Sequence, residues 1–294
     1  MTGGTDATIP ARVTRVICVQ LDPVVGAGAA NREKCRAAVA RAIADGGDVI
    51  VLPELATSGY VFTSAKEARS VAVGRDHEFF GGISSLLTGT DAVVILGFCE
   101  IDTRGRLWNS AAAVTARGVV SVYRKTHLWD RETLIFEPGT EPPPVIDTAH
   151  GSIGILICYD LEFAEMPRSL ALRQADLIAV PTNWPLGEHP DDERAAEVIY
   201  AQAAARANGV FIACCDRSGV ERGQQWTEGT VIIDQFGWVR ATATLGGRAA
   251  REPGHGGDTA QADIFPHLAR DKAISPHNDL LGDRRIDIYA KDLS

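Results

Sequence analysis

The sequence predicts an α/β fold in which two sheets are layered face to face with helices outside. In the first half of the chain, short β-branched apolar runs alternate with stretches of helical periodicity. Elsewhere, apolar runs pair as hairpins around turn residues. The third observation is composition: 294 residues, 45% hydrophobic and 23% charged, with no shift that marks a boundary and no internal repeat. A flexible polar tail is expected over residues 1–12, followed by a single domain over 13–294.

Val13 to Gln20 (VTRVICVQ) reads as the first strand, followed by a turn at Asp22-Pro23. Asn31 is the expected N-cap of a helix over Arg32 to Ala44, with Ala38, Val39, Ala42 and Ile43 on one face. Asp45-Gly46-Gly47 stops it, and Val49 to Leu52 is a second strand ending in Pro53-Glu54. A helix over His77 to Leu87 and a strand over Ala92 to Cys99 follow. Trp108 to Thr115 and Val119 to Tyr123 form a hairpin, and Lys125 stands just beyond it.

Further on, Leu177 to Pro181, Val210 to Cys215, Gly229 to Ile233 and Trp238 to Ala243 read as strands. Arg194 to Asn208 reads as an Ala-rich helix stopped by Gly209. Gly246 to Gly257 is Gly-rich and polar, and is expected to be a mobile loop.

The central stretch is Gly151 to Arg168, GSIGILICYDLEFAEMPR. Ile153 to Ile157 has the character of a buried strand, and Asp160, Glu162 and Glu165 fit the acidic first turn of a helix. A cysteine at such a strand-to-helix turn, Cys158, has its sulfur lifted from the sheet near free backbone N–H groups that favour a thiolate and bind an oxyanion. Taken alone, the same residue reads equally well as a buried small hydrophobe.

Composition narrows the function. A net charge of −9 argues against nucleic acid as the main partner. No run of about 18 apolar residues is present, so no membrane span is expected, and MTGGTDATIPARVTR lacks a signal-peptide core. Six cysteines show no CxxC pairs and no metal-ligand rhythm with the seven histidines, which points to reduced thiols in a cytoplasmic protein. Three polar residues stand where strands end, Glu54, Lys125 and Cys158, and such edges of α/β sheets gather ligand sites. A thiol attacking an amide or nitrile carbon needs a base, a positive group for the oxyanion and a proton donor for the leaving amine. A carboxylate, a lysine and a thiol supply all three.

LPELATSGY around Glu54, RKTHLWD around Lys125 and CYDLEFAE around Cys158 resemble the three signature segments of the nitrilase, or carbon–nitrogen hydrolase, superfamily. They occur in that family's order and spacing. FEPG (Phe136 to Gly139) and ARANGVF (Ala205 to Phe211) resemble further family segments, so the resemblance runs from about Val13 to Tyr289. It implies a four-layer αββα sandwich and a homodimer or higher homo-oligomer. It also implies a cofactor-free and metal-free Glu–Lys–Cys triad acting on a small-molecule amide. Glu54 matches the general base, Lys125 the oxyanion-stabilising lysine and Cys158 the nucleophile. Glu132 matches a second, substrate-positioning glutamate, with Glu137 the competing candidate. Tyr60, Trp129, Tyr159, Glu162, Asn183 and Trp184 are the expected substrate-binding residues.

Asp160 reads as a helix-start carboxylate, not a reacting group. Glu162 departs from the arginine (CYDxRF) that members acting on dicarboxylate-derived amides often carry, which favours a neutral or cationic substrate. Ala164 replaces a proline common in the family. The expected activity is an amidase, with an N-carbamoyl amine hydrolase as the runner-up. A nitrilase is expected less, because the chain ends soon after Tyr289 without the longer tail that such proteins usually carry. A non-catalytic binding module is the remaining rival.

Overall fold

The computed structural model describes residues 12–188, 190, 193–243 and 258–292. The chain opens with β1 (Thr14–Val19), α1 (Gly28–Ala44), β2 (Val49–Val51), α2 (Ala65–Val71) and α3 (Glu78–Leu86). Strands β3 (Val93–Ile101), β4 (Leu107–Thr115) and β5 (Gly118–Arg124) complete the first half. The second half runs β6 (Val145–Thr148), β7 (Gly151–Ile155), α4 (Glu165–Leu172), β8 (Leu177–Pro181), α5 (Ala196–Asn208) and β9 (Phe211–Cys215). Then come the short ribbon β10 (Val220–Glu221) and β11 (Gln224–Gln225), followed by β12 (Val231–Ile233), β13 (Val239–Thr242) and β14 (Thr259–Ile264). The small pair β15 (Ala273–Ser275) and β16 (Asn278–Asp279) and helix α6 (Ile286–Asp292) close the chain.

Two six-stranded sheets result, ordered β14-β1-β2-β3-β4-β5 and β13-β12-β9-β8-β7-β6. Each has three parallel strands in its middle, β1–β2–β3 in one and β7–β8–β9 in the other, with antiparallel neighbours outside. Side-chain alternation then builds the layers. Val16, Cys18, Val49, Val51, Val93 and Ile95 point into a core shared with the second sheet. Their neighbours Ile17, Val19, Ile50, Leu52, Val94 and Leu96 pack outward against Cys35, Ala38 and Val39 of α1 and Phe79, Phe80 and Ile83 of α3. Strands buried on both faces read as continuous apolar runs, which is what VIVL and VVILGF are. The fold is the αββα sandwich.

Several local expectations need correction. Helix α1 starts at Gly28, and Asn31 lies inside it. The Asn31 side chain exchanges two hydrogen bonds with the Val24 backbone, so the residue ties down the preceding loop instead of capping the helix. Cys158 does not begin a regular helix. Cys158–Glu162 is a single 3-10 turn, and α4 starts only at Glu165. The amphipathic α2, the edge strands β6 and β14 and the ribbon β10–β11 were not expected from sequence. Gly246 to Gly257 and the tail 1–11 lie outside the described residues. No helix among the described residues is long and apolar enough to cross a membrane.

Candidate active site

Glu54 follows β2 through Leu52-Pro53, in a tight turn that lies directly on β3. A Cβ added at Gly97 of β3 would stand 2.5 Å from Glu54 Cα and 2.6 Å from Pro53 O, so only glycine admits this approach. Gly97 N–H donates to Pro53 O at 3.1 Å, and Leu55 is held in the left-handed region at φ 48°. Glu54 is thereby presented inward and is fully buried.

Lys125 continues β5. Its backbone N–H donates to Asn109 O at 2.8 Å, and Gly139 of the FEPG turn donates to Lys125 O at 2.8 Å. The preceding Arg124 pairs with buried Glu100 and stacks over Trp108 at 4.1 Å, which pins the end of the strand. Lys125 Nζ then donates to Glu54 Oε1 at 2.7 Å and to Glu132 Oε1 at 2.9 Å. Glu132, buried in the 3-10 turn Asp130–Leu134, also accepts Trp129 N–H on Oε2 at 3.2 Å. Glu137, the competing candidate, is exposed.

Cys158 follows β7 at φ 47° with its side chain buried. Six non-glycine residues adopt positive φ among the described residues, and three of them, Leu55, Asp130 and Cys158, belong to the turns carrying Glu54, Glu132 and the thiol. Backbone strain of roughly 1–2 kcal/mol per residue is therefore concentrated here.

Electrostatics follow from burial. Burial pushes the Glu54 carboxyl up to about 7, with Lys125 pulling it down and Glu132 pushing it up again. Burial alone would lower Lys125, but Glu132, Glu54 and Cys158 reverse this and hold it well above its ordinary value. Burial, then Glu54, push the Cys158 thiol well up, while Lys125 and the Asn183 backbone N–H pull it down. The shifts thus favour a protonated lysine and a neutral thiol beside a Glu54 carboxyl poised near neutrality.

The structure brings Glu54, Lys125, Glu132 and Cys158 into one buried cluster. Asn183 borders it, its side chain donating to Glu54 O at 2.9 Å. Tyr60 faces Glu132, Glu54 and Cys158, which together with burial hold its phenol well above its ordinary value. Trp129 and Tyr159 meet edge to face at 4.8 Å and form an aromatic shelf. Glu162 is partly exposed to solvent, and its carboxyl is raised by partial desolvation and by Glu197 on α5 while Lys125 pulls it down. Trp184 is buried, its N–H on Asp216 at 3.0 Å.

Residues not expected from sequence are as informative. Asn109 Nδ2 donates to Glu54 Oε1 at 2.7 Å and reaches Glu132 Oε1 at 3.4 Å, so it orients both carboxylates. Its signal was a polar residue inside the apolar run LWNSAAAV. Asp216, raised to about 7 by burial, accepts the backbone N–H groups of Trp184, Arg217 and Gly229 and organises the loops beside the site. Among the described residues no three His, Cys, Asp or Glu side chains are arranged so that they could hold a metal ion.

The carbon–nitrogen hydrolase family model matches residues 15–250. A protein named nitrilase from Pyrococcus abyssi is 32% identical over 281 residues, covering 94% of this chain and 99% of its own. An (R)-stereoselective amidase from a Pseudomonas species is 30% identical over 273 residues, covering 92% of each. An amidase structure from Nesterenkonia sp., 23% identical, has the same fold, with a TM-score of 0.74 over 99% of this chain and all of its own.

Proposed function

The chain belongs to the carbon–nitrogen hydrolase family, and from that premise we propose that it hydrolyses a small, non-peptide carboxamide to carboxylate and ammonia through a thioester on Cys158. Glu54 is the base in this reading, Lys125 the oxyanion partner and Glu132 the residue that positions substrate and lysine. The observation that carries it is an asymmetry in Glu54. Oε1 is held by Lys125 and Asn109, whereas Oε2 is buried without a hydrogen-bond partner. A carboxylate anchored by one oxygen keeps the other free to take a proton, and a pKa raised to about 7 makes it a competent base near neutrality.

Glu54 Oε2 accepts the Cys158 proton as sulfur bonds to the amide carbon. Charge on the carbonyl oxygen is met by Lys125 Nζ and the Tyr159 backbone N–H. Glu54 returns the proton to the nitrogen, the C–N bond breaks and ammonia leaves. Water, deprotonated by Glu54, then attacks the thioester, and the thiol is released with the carboxylic product. The reading requires no metal or organic cofactor.

For the substrate we favour a neutral or amine-bearing amide, because Glu162, within electrostatic reach of Lys125 and of Glu197, adds an acidic group to the neighbourhood of the site. The runner-up is a ureido group, which the same steps would convert to ammonia and a carbamate, the carbamate then losing carbon dioxide to leave the amine. The similarity to a protein named nitrilase keeps nitriles in the test. We also propose a homodimer or higher homo-oligomer in the cytoplasm. The exposed Leu172 of α4 and Ile286, Ile288 and Tyr289 of the C-terminal segment are available to such an interface. Light scattering on the purified chain tests the assembly.

The functional test is ammonia release from a panel of amides, ureido compounds and nitriles, with intact-mass detection of an acyl adduct. Wild type should acylate and Cys158→Ala should do neither. Turnover that survives in Cys158→Ala refutes the thioester route. Tight amide binding with neither adduct nor ammonia supports the non-catalytic module instead.

A further inference from the structure

The lysine and the thiol of this site are carried by different sheets, so the end of β5 must be kept in register with the turn after β7. One buried carboxylate touches both. Asp160 is fully buried. Its Oδ2 accepts the Tyr123 hydroxyl at 2.9 Å and the Ile157 N–H at 3.3 Å. Its Oδ1 accepts the His127 backbone N–H at 2.9 Å and, with the ring proton on Nδ1, His127 Nδ1–H at 2.9 Å. Tyr123 and His127 lie two residues either side of Lys125, while Ile157 and Asp160 bracket Cys158.

The sequence accounts for only one of these four bonds. A carboxylate at the third position of a turn reaches back to the N–H of the residue that caps it, and Ile157 supplies that. The three others come from the lysine-bearing segment of the opposite sheet. His127 extends the connection further: its ring stacks on Phe163 at 3.7 Å, Phe163 meets Tyr159 edge-on at 4.9 Å, and Tyr159 meets Trp129. The carboxylate that joins the two sheets therefore also steadies the aromatic shelf beside the thiol. A buried charge is costly unless its lone pairs are filled, and here all four are.

We propose that Asp160 is a positioning residue that sets the approach of Lys125 Nζ to the oxyanion formed at Cys158, acting through Tyr123 and His127. This rests on the reading of Lys125 and Cys158 given above. If Asp160 only capped its turn, its loss would lower stability and leave the chemical step alone. A positioning role predicts a kcat effect with KM preserved, and effects of its partners that do not add.

The experiment uses Asp160→Asn, Tyr123→Phe and His127→Phe, each characterised by melting temperature, by kcat and KM on the hydrolysed amide, and by the rate of acrylamide labelling at Cys158. In that labelling Glu54 takes the thiol proton as the sulfur bonds to the β-carbon. The C=C electron pair moves onto the carbonyl as an enolate that Lys125 stabilises, and Glu54 later gives its proton up to solvent. A solvent proton on the α-carbon completes the adduct. Tyr123→Phe and His127→Phe should lower kcat and labelling about three- to tenfold with KM within about twofold, and Asp160→Asn should lower both at least about tenfold. Asp160→Asn combined with Tyr123→Phe should be no slower than Asp160→Asn alone.

Folded variants with lowered melting temperature but unchanged kcat and labelling overturn the proposal, as do additive losses. Should Asp160→Asn fail to fold, Tyr123→Phe, His127→Phe and their combination decide by the same criteria. Wild type that is labelled at Cys158 but releases ammonia from nothing in the panel refutes the hydrolase reading and leaves labelling to judge Asp160. Wild type that turns over an amide but is not labelled leaves kcat and KM to judge Asp160, and wild type that neither is labelled at Cys158 nor releases ammonia from any compound of the panel overturns both.

Discussion

Asn109→Leu removes the amide donor that holds Glu54 Oε1, and the longer contact to Glu132, while keeping the branching and heavy-atom count of the side chain. Asn109 Nδ2 donates to Glu54 Oε1 at 2.7 Å in a fully buried site. A hydrogen bond to a charged group contributes about 1.5–3 kcal/mol. At about 1.4 kcal/mol per pKa unit, its loss should raise the Glu54 carboxyl by roughly one to two units. The bond favours the carboxylate, so the shift is upward, from about 7 into the alkaline range. Because the base must be ionised to act, kcat/KM at pH 7 should fall roughly five- to fiftyfold and recover as the pH rises. The recovery is accessible because Lys125 and Cys158 both titrate well above their ordinary values, leaving room for a plateau. The assay is a pH profile of kcat/KM for wild type and variant on one amide. An acid limb that stays in place, moves down, or is replaced by an equal loss at every pH would refute the assignment of Glu54 as the base.

Three further outcomes are expected. Glu54 has a folded-state pKa above its unfolded value of 4.5, so its favourable contribution is complete below about pH 4.5 and is lost as pH rises through about 7. Glu54→Gln should be inactive yet flatten this loss, raising stability at pH 8 relative to wild type by on the order of 3 kcal/mol at most, as denaturant melts at pH 5 and pH 8 would show. Gly97→Ala should displace the Glu54 turn, since its Cβ falls 2.5 Å from Glu54 Cα, and should reduce kcat by at least about tenfold in a chain whose circular dichroism is unchanged. Glu162→Arg should lower kcat/KM for amine-bearing amides and raise it for carboxylate-bearing ones, each by only a few-fold because the side chain is exposed; competition between the two substrate types measures it.

The paired sheets were legible because their central strands are short, β-branched and apolar on both faces. The elements that went unseen have weaker signals. Strand β14 (TAQADI) alternates small and polar residues and is stabilised by its antiparallel register with β1, which lies some 240 positions earlier, a pairing that no local pattern encodes. The 3-10 turn after Cys158 read as a helix start because acidic residues mark both; its geometry is decided by Asp160 reaching across to β5, a tertiary contact. The triad residues stood out as polar side chains at the ends of apolar strands. Asn109 and Gly97 lie inside strands, where an isolated Asn or Gly reads only as a weakness in the pattern.

Those weaknesses and the catalytic chemistry have a common origin. Desolvation is what raises Glu54 toward neutrality; Lys125 pulls it back down, and Glu132, buried beside the same ammonium, offsets part of that pull. A second cation, or an exposed position for Glu132, would relax the pKa and make Glu54 a weaker base. The strained turns at Leu55, Asp130 and Cys158 act in the same direction, because an unstrained path would carry each strand past the cluster without turning a side chain into it. Asn109, Asp160 and the Gly97 contact then restrain what the strain alone would loosen. Strained turns and buried charges are broken local rules that coincide at this cluster, which is the coincidence expected where stability has been conceded to proton transfer.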